Sequence, residues 1–221
     1  MVFCNKVHED RNEDNEMKIK VCGITSKKEA CVLNQYKVDY CGFVLFFPKS
    51  KRNISIEQAQ EIMKELDPSV KRVAVVVSPT LEQTEQICKS GFDYIQIHGE
   101  LSEKILNHIT IPILKAFNIK DMEQYTFYQS CPQICGYVFD AAEPGSGQAF
   151  DWNLISKIPR DDKLFILAGG LHSGNVRDAI TVLHPDCVDV SSGVEYGKEI
   201  VGKDPEKIKA FVQEVRAVDK K

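Results

Sequence analysis

The sequence predicts an α/β fold, a single (β/α)8 TIM barrel, and three observations support this prediction. Short β-rich runs alternate with amphipathic helical stretches along almost the whole chain, as in a parallel sheet covered by helices. Several runs are continuously apolar, which is typical of strands buried on both faces. Eight strand and helix units follow one another, and eight is the number that this barrel requires.

A doubly wound open sheet is the alternative architecture. It more often has about five or six strands, with a Gly-x-Gly-x-x-Gly turn after the first. The first turn of this chain reads Cys-Gly-Ile-Thr instead, at residues 22–25. The barrel is therefore favoured.

The predicted strands are 18–22, 40–46, 71–77, 94–97, 112–116, 134–139, 163–167 and 187–190. The predicted helices are 26–37, 55–66, 80–90, 101–108, 120–129, 151–157, 173–183 and 204–218. Ser26, Ser55 and Asp151 are expected as N-caps, and Pro79 marks the start of the third helix. Pro112 weakens the fifth strand because proline cannot donate to a sheet ladder.

Residues 1–16 are predicted to be a disordered N-terminal extension, and residues 17–221 the barrel domain. The first sixteen residues hold five acidic and two basic side chains with little apolar periodicity, a composition that does not build a core. Met17 is an alternative start.

The composition of the 221 residues, with 43% hydrophobic and 27% charged side chains, is that of an ordinary globular protein. A net charge of −4 gives no electrostatic basis for a nucleic-acid or anionic-membrane partner. The chain has no apolar run of about 18 residues, and its first residues are too polar for a signal peptide. The expected location is cytoplasmic.

The eight cysteines show no paired spacing typical of a zinc site, so no metal site is expected. Most are expected to be reduced thiols in the core. Cys22 stands apart because it ends the first strand, at the rim where parallel strands present ligands. A buried, merely apolar cysteine is the alternative.

Barrel active sites are built at the carboxyl ends of the strands. The polar and small residues at those ends are Cys22, Arg52, Gln96, His98, Lys115, Asp140, Gly169, Gly170, Asp189, Ser192 and Gly193. The four glycine and serine residues follow the last two strands, where barrels frequently bind phosphate through backbone amides. Tight turns without a ligand are the alternative for these loops.

Other strand-end residues suggest acid–base chemistry and anion binding. Asp140 ends an apolar strand, where a carboxyl group can act as a general acid, or can simply cap a turn. The Arg52 guanidinium suits a carboxylate or a phosphate, unless its loop is merely solvated. Gln96 and His98 alternate with apolar residues and either contact a ligand or hydrogen-bond structurally. Lys115 is interpreted as a salt-bridged barrel lysine rather than as a Schiff-base lysine.

With its strand ends aligned, the chain resembles the phosphoribosylanthranilate isomerase family of tryptophan biosynthesis. The matching segments are KVCGIT (20–25), GFVLFFPKSKR (42–52), QIHG (96–99), the loop from residue 140 to GSGQAFDW (145–152), LAGGL (167–171), NVRDAI (175–180), VDVSSGVE (188–195) and KDPEKI (203–208). They run from residue 18 to residue 212, so the resemblance covers nearly the whole chain apart from the extension.

The resemblance implies a catalytic barrel that performs an Amadori rearrangement of N-(5'-phosphoribosyl)anthranilate by general acid–base catalysis. In the family's pattern Cys22 is the general base and Asp140 the general acid. Arg52 matches the arginine that holds the anthranilate carboxylate, and Asp189 matches an aspartate near the same end. The loops at Gly169-Gly170 and Ser192-Gly193 match the phosphate site.

The reaction requires only proton transfers, so no cofactor is expected. The expected partner is a small-molecule phosphosugar, and the expected state is a monomer or homodimer. A histidine-pathway sugar isomerase would run the same rearrangement with two aspartates, and Cys22 argues against it. A non-catalytic phosphosugar-binding barrel would not need an acid–base pair.

Overall fold

The computed structural model describes residues 16–118, 122, 124–140, 155–197 and 200–218. Eight parallel strands form one sheet, in which the first strand pairs with both the second and the last, so that the sheet closes on itself. In the described part of the chain, helices separate consecutive strands except between residues 140 and 164, where most of the connection lies outside that part. The (β/α)8 prediction is confirmed.

The barrel strands are β1 (Lys18–Cys22), β2 (Tyr40–Leu45), β3 (Lys71–Val77), β4 (Tyr94–His98), β5 (Ile113–Asn118), β6 (Ile134–Asp140), β7 (Leu164–Ala168) and β8 (Cys187–Val190). All eight predicted strands are present; β1, β3 and β8 have the predicted bounds, and the other five differ slightly at their ends. Pro112 lies just before β5, where its carbonyl accepts a hydrogen bond from the Ile95 amide. Because Pro112 precedes the first residue of β5, the ladder does not require the N–H that proline lacks.

A ninth, two-residue strand at Asn53–Ile54 was not predicted. It pairs with Val44 and Leu45 of β2. These two residues follow Gly42, the last residue of β2 that pairs with β1. The side chain of Asn53 also accepts a 2.7 Å hydrogen bond from the Phe47 amide. These contacts close the loop that carries Arg52.

The described helices are α1 (Lys27–Gln35), α2 (Ile56–Met63), α3 (Leu81–Cys88), α4 (Glu103–Leu106), α5 (Tyr125–Gln129), α6 (Val176–Leu183) and α7 (Pro205–Arg216). Ser26 and Ser55 cap α1 and α2 as predicted, each accepting a hydrogen bond in a capping box. The third helix is capped by Thr80, directly after Pro79. Most of the predicted helix 151–157, with Asp151, lies outside the described residues.

Apolar side chains fill two layers, one inside the barrel and one between the sheet and the helices. The inner layer includes Tyr40, Val73, Tyr94, Leu114 and Ile166. These residues fill the barrel interior below the carboxyl ends of the strands.

The described cysteines are all free thiols, and five of the seven are buried, which confirms that most are core residues. No helix in the described part of the chain is long and apolar enough to cross a membrane. Residues 1–15 lie outside the described residues, so the boundary of the extension stays a prediction. Glu16 is described, and its carboxylate pairs with Arg216 at 3.1 Å.

Candidate active site

A cavity of about 500 Å³ opens at the carboxyl ends of the strands. Its lining includes most of the residues that the sequence singled out, namely Cys22, Arg52, Gln96, His98, Asp140, Gly169, Gly170, Asp189 and Ser192. Apolar side chains complete the wall, among them Val44, Phe47, Val75, Val138 and Leu171. A concave site of this size with a few convergent polar groups is typical of small-molecule binding.

Cys22 ends β1 and presents its thiol to this cavity. The chain turns away immediately after it, because the amides of Gly23 and Ile24 both donate to the carbonyl of Gly42, at 2.8 and 3.0 Å. The Ser191 hydroxyl donates a 3.0 Å hydrogen bond to the Cys22 carbonyl. The cysteine backbone is thus fixed by β2 on one side and by the loop after β8 on the other.

A lysine that the sequence analysis did not single out lies beside this thiol. Lys20 is two residues before Cys22 on the same inner face of β1, and its side chain is fully buried. Its ammonium donates a 2.8 Å hydrogen bond to Oδ2 of Asp189. The ammonium and the Cys22 thiol both lie over Gly42, where a Cβ would be 3.1 Å from Nζ of Lys20 and 3.0 Å from Sγ of Cys22.

Lys20, Cys22 and Asp189 shift one another's pKa values. Burial raises the pKa of the Cys22 thiol, and the Lys20 ammonium opposes that rise. Burial alone would lower the pKa of Lys20, but Asp189 and Cys22 outweigh it, so the pKa is raised. Burial likewise raises the pKa of Asp189 against the effect of Lys20. Lys20 therefore stays cationic inside the barrel.

Asp189 offers a free acceptor to the cavity. Its Oδ1 has no hydrogen-bond partner among the described residues, although the atom is buried. A buried, unpaired carboxylate oxygen costs stability unless a ligand or water donates to it. Asp189 is therefore suited to accept a hydrogen bond from a ligand.

Asp140 ends β6, three strands around the barrel from β1, and lines the same cavity. Its neighbours in the sheet are Asn118 on β5 and Ala168 on β7. The side chain is half-buried. The thiol and this carboxyl thus approach a ligand from different sides of the barrel mouth.

The two loops predicted to bind phosphate lie against each other at the rim. Gly169 and Gly170 follow β7 with φ of 89° and 65°, a backbone region that favours glycine. Ser192 and Gly193 lie in a 3₁₀ turn after β8. A Cβ on Gly193 would lie 2.0 Å from the Leu171 carbonyl oxygen, so only glycine permits this close approach.

Arg52 lines the cavity from the loop after β2. Its Nε donates a 2.5 Å hydrogen bond to Glu195, which lies after β8. Its aliphatic stem packs over Gly23, where a Cβ would lie 2.4 Å from Cδ of the arginine. The loop is therefore not merely solvated.

Gln96 and His98 both face the cavity, and their side-chain nitrogens lie 2.9 Å apart. Burial lowers the pKa of His98 to about 4, with smaller effects from Lys20 and Lys115. The imidazole is therefore neutral at pH 7. This pair combines the two roles that the sequence left open, a structural hydrogen bond and access to a ligand.

Lys115 does not line the cavity. Its ammonium donates to the Ala116 carbonyl at 2.8 Å and lies over the rings of Phe117 and Tyr128. These aromatic residues belong to the layer between the sheet and the helices. A Schiff-base role is therefore excluded by its position.

Sequence reasoning missed Lys20, Glu195 and Lys203, all of them buried. The alternation in KIKVC places Lys20 and Cys22 on one face of β1, and this was the available signal for Lys20. No local signal marks Glu195. Among the described residues, no group of three His, Cys, Asp or Glu side chains is arranged to hold a metal ion.

Nearly the whole chain is similar to several known proteins. The isomerase of Streptococcus gordonii named N-(5'-phosphoribosyl)anthranilate isomerase is 40% identical over 204 residues, which cover 90% of this chain and 97% of that protein. The crystal structure of phosphoribosyl anthranilate isomerase from Thermotoga maritima superposes with a TM-score of 0.80 at 37% identity, covering 91% of this chain and 99% of that one.

A further crystal structure shows the isomerase in complex with reduced 1-(o-carboxyphenylamino)-1-deoxyribulose 5-phosphate. It matches with a TM-score of 0.77 at 36% identity, over 91% of this chain and 99% of that one. The model of the N-(5'phosphoribosyl)anthranilate (PRA) isomerase family matches residues 19–214, which is nearly the whole barrel. On the strength of this match and of these relatives, the chain belongs to the PRA isomerase family.

Proposed function

We propose that this chain converts N-(5'-phosphoribosyl)anthranilate into 1-(2-carboxyphenylamino)-1-deoxyribulose 5-phosphate, an isomerisation in tryptophan biosynthesis. One observation supports the proposal above all. A thiol at Cys22 and a carboxyl group at Asp140 share one cavity with an arginine and two glycine-containing loops. This set offers a base, an acid and two anion sites, which the substrate's carboxylate and phosphate match.

The reaction begins with proton transfer from Asp140 to the ring oxygen of the ribose. The C1–O bond breaks, its electron pair goes to that oxygen, and the nitrogen lone pair forms an iminium at C1. The Cys22 thiolate then removes the proton from C2, and the C–H electrons neutralise the iminium as an enolamine. Tautomerisation of the enolamine gives the ketone. General acid–base groups suffice for these steps.

The binding groups lie around this pair. In the proposal, Arg52 holds the anthranilate carboxylate, since a guanidinium matches a carboxylate in charge and planar geometry. The loops at Gly169-Gly170 and Ser192-Gly193 hold the phosphate through backbone amides. Oδ1 of Asp189 accepts a hydrogen bond near the anthranilate end, which would satisfy its unpaired lone pairs.

The experiment is an assay of the pure protein for the loss of anthranilate fluorescence as phosphoribosylanthranilate is consumed. Turnover by the wild type, reduced by orders of magnitude in Asp140→Asn, is the expected result. Tight binding of the reduced product analogue without any turnover would instead favour a phosphosugar-binding barrel and would overturn the proposal.

The proposed partner is a phosphosugar substrate, and no nucleic-acid partner is proposed because the net charge is −4. The cytoplasmic location and the oligomeric state, monomer or homodimer, stay predictions. Size-exclusion chromatography with light scattering distinguishes the two states.

A further inference from the structure

Three cationic side chains converge on one buried carboxylate beside the cavity. Glu195 accepts from Nε of Arg52 at 2.5 Å and lies 2.8 Å from the ammonium of Lys51 and 3.3 Å from that of Lys203. The Glu195 side chain is only 7% exposed. Burial raises the pKa of Glu195, but Lys51, Arg52 and Lys203 outweigh it and hold the pKa at about 2. The carboxylate is therefore a fixed anion.

Glu195 is itself held rigidly. Its amide donates to the Ser192 carbonyl at 3.1 Å, and its own carbonyl accepts a 2.7 Å hydrogen bond from Lys207. The ammonium of Lys203 connects the Glu195 carboxylate to the Ser191 carbonyl, at 3.1 Å from the latter. Both the backbone and the side chain are thus anchored to the end of β8.

The contact with Arg52 engages only one side of the guanidinium. Nε points to Glu195, and the two terminal amino groups of a guanidinium form a second, separate edge that matches a carboxylate bidentately. Arg52 lines the cavity whereas Glu195 does not. A fixed Nε sets the plane of the group and removes part of the conformational entropy that ligand binding would otherwise cost.

We propose that Glu195 is a positioning residue that holds the guanidinium of Arg52 with its terminal amino edge toward the substrate's carboxylate. The inference rests on the proposed function for the identity of that carboxylate. Glu195 touches no substrate in this arrangement and acts through Arg52 alone. Its loss should therefore affect ligands that carry the carboxyphenyl group and spare those that lack it.

The test is calorimetric binding of two probes to the wild type and to Glu195→Gln. The first probe, reduced 1-(2-carboxyphenylamino)-1-deoxyribulose 5-phosphate, carries the carboxylate, and the second, ribose 5-phosphate, does not. We expect Glu195→Gln to weaken binding of the first probe on the order of tenfold, since the acceptor for Nε loses its charge and holds the guanidinium less firmly. The Kd of ribose 5-phosphate should not change.

Lys51→Met is the matched control, because Lys51 pairs with Glu195 but does not line the cavity. It should leave both Kd values unchanged. Arg52→Lys removes the guanidinium and should weaken binding of the first probe. In the Arg52→Lys variant, Glu195→Gln should weaken binding of the first probe little further, because the effects of two residues that act through one contact are not additive.

Equal weakening of both probes by Glu195→Gln would indicate a merely structural role and overturn the inference. Unchanged binding of the first probe would overturn it as well, as would a full additional loss in the Arg52→Lys background. The readout does not depend on turnover. An inactive wild type that still shows the expected Kd pattern would contradict the proposed function and leave the positioning role supported.

Discussion

The ammonium of Lys20 donates a 2.8 Å hydrogen bond to Oδ2 of Asp189 inside the barrel, and its charge lowers the pKa of the nearby Cys22 thiol. The two charged groups are nearly inaccessible, with side-chain exposures of 0% and 6%. A fixed cation beside the thiol favours the thiolate, which is the form that accepts a proton. Asp189 raises the pKa of Cys22, so the two charged residues shift that pKa in opposite directions.

Lys20→Met should raise the pKa of Cys22, because burial then acts without the opposing ammonium. It should also destabilise the fold by about 3–5 kcal/mol, since Asp189 is left as an unpaired buried charge. The pH dependence of Cys22 alkylation by iodoacetamide, followed by mass spectrometry of its peptide, measures the pKa. Urea unfolding measures the loss of stability.

Asp189→Asn provides the opposite test. It removes the anion that raises the pKa of Cys22, so the midpoint of alkylation should move to lower pH. Cys31 is exposed and serves as an internal reference whose alkylation should not change in either variant. Midpoints for Cys22 that stay fixed in both variants would refute the electrostatic coupling.

Cys22→Ser tests the assignment of the general base. A serine hydroxyl occupies nearly the same volume but is almost never ionised at neutral pH, so turnover should fall by about 10²–10⁴-fold. Binding of the reduced product analogue should change little. Cys31→Ser is the control and should retain full turnover, because that thiol lies on the exposed face of α1. Near-normal turnover in Cys22→Ser would rule out a thiolate base.

The strands were the most predictable part of the fold. β3 and β8 match their predicted bounds in full, because each is a compact β-branched run between turn-forming residues. Helix ends were less predictable. α4 is shorter than the predicted 101–108, since Ser102 caps its start and the hydrogen bonds end after one turn.

Site residues at strand ends could be predicted because the barrel places every such end on one rim. The alternation in β1 could have placed Lys20 beside Cys22, but the ion pairs of Lys20 and Glu195 could not be predicted, because their partners are 169 and 143 residues away in the chain. The outward orientation of Lys115 follows from period-two alternation, since its neighbours Leu114 and Ala116 face the barrel interior. The register shift of the β5–β6 ladder at Ile113 and Leu114 was not predictable, because a bulge interrupts the regular pairing.

His98 should make the stability depend on pH between about 6.5 and 4. Burial lowers its pKa from 6.5 to about 4 in the folded state, so the unfolded chain takes up a proton at a higher pH. Stability is therefore full above the unfolded pKa and falls as the pH drops toward 4, by at most about 3 kcal/mol. Urea unfolding across this pH range measures the effect.

The His98→Gln variant cannot take up that proton. Its free energy of unfolding should therefore decrease less than that of the wild type as the pH falls from about 6.5 to 4. The carboxyl groups titrate in both proteins, so their contribution cancels in the difference between the two free energies of unfolding. A ring-proton NMR titration gives the folded pKa directly. An imidazole that titrates near 6.5 in the folded protein would contradict the prediction.

Gly193→Ala should separate the two loops proposed to bind phosphate. The new Cβ would lie 2.0 Å from the Leu171 carbonyl oxygen, a backbone atom that cannot swing aside, so the loop after β8 must move away from the loop after β7. We expect binding of ribose 5-phosphate to weaken on the order of tenfold, the effect of ~1.4 kcal/mol. Gly197→Ala, on the same loop, meets no atom within 4 Å and should bind normally. Equal Kd values in the two variants would show that the contact between the loops does not shape the phosphate site.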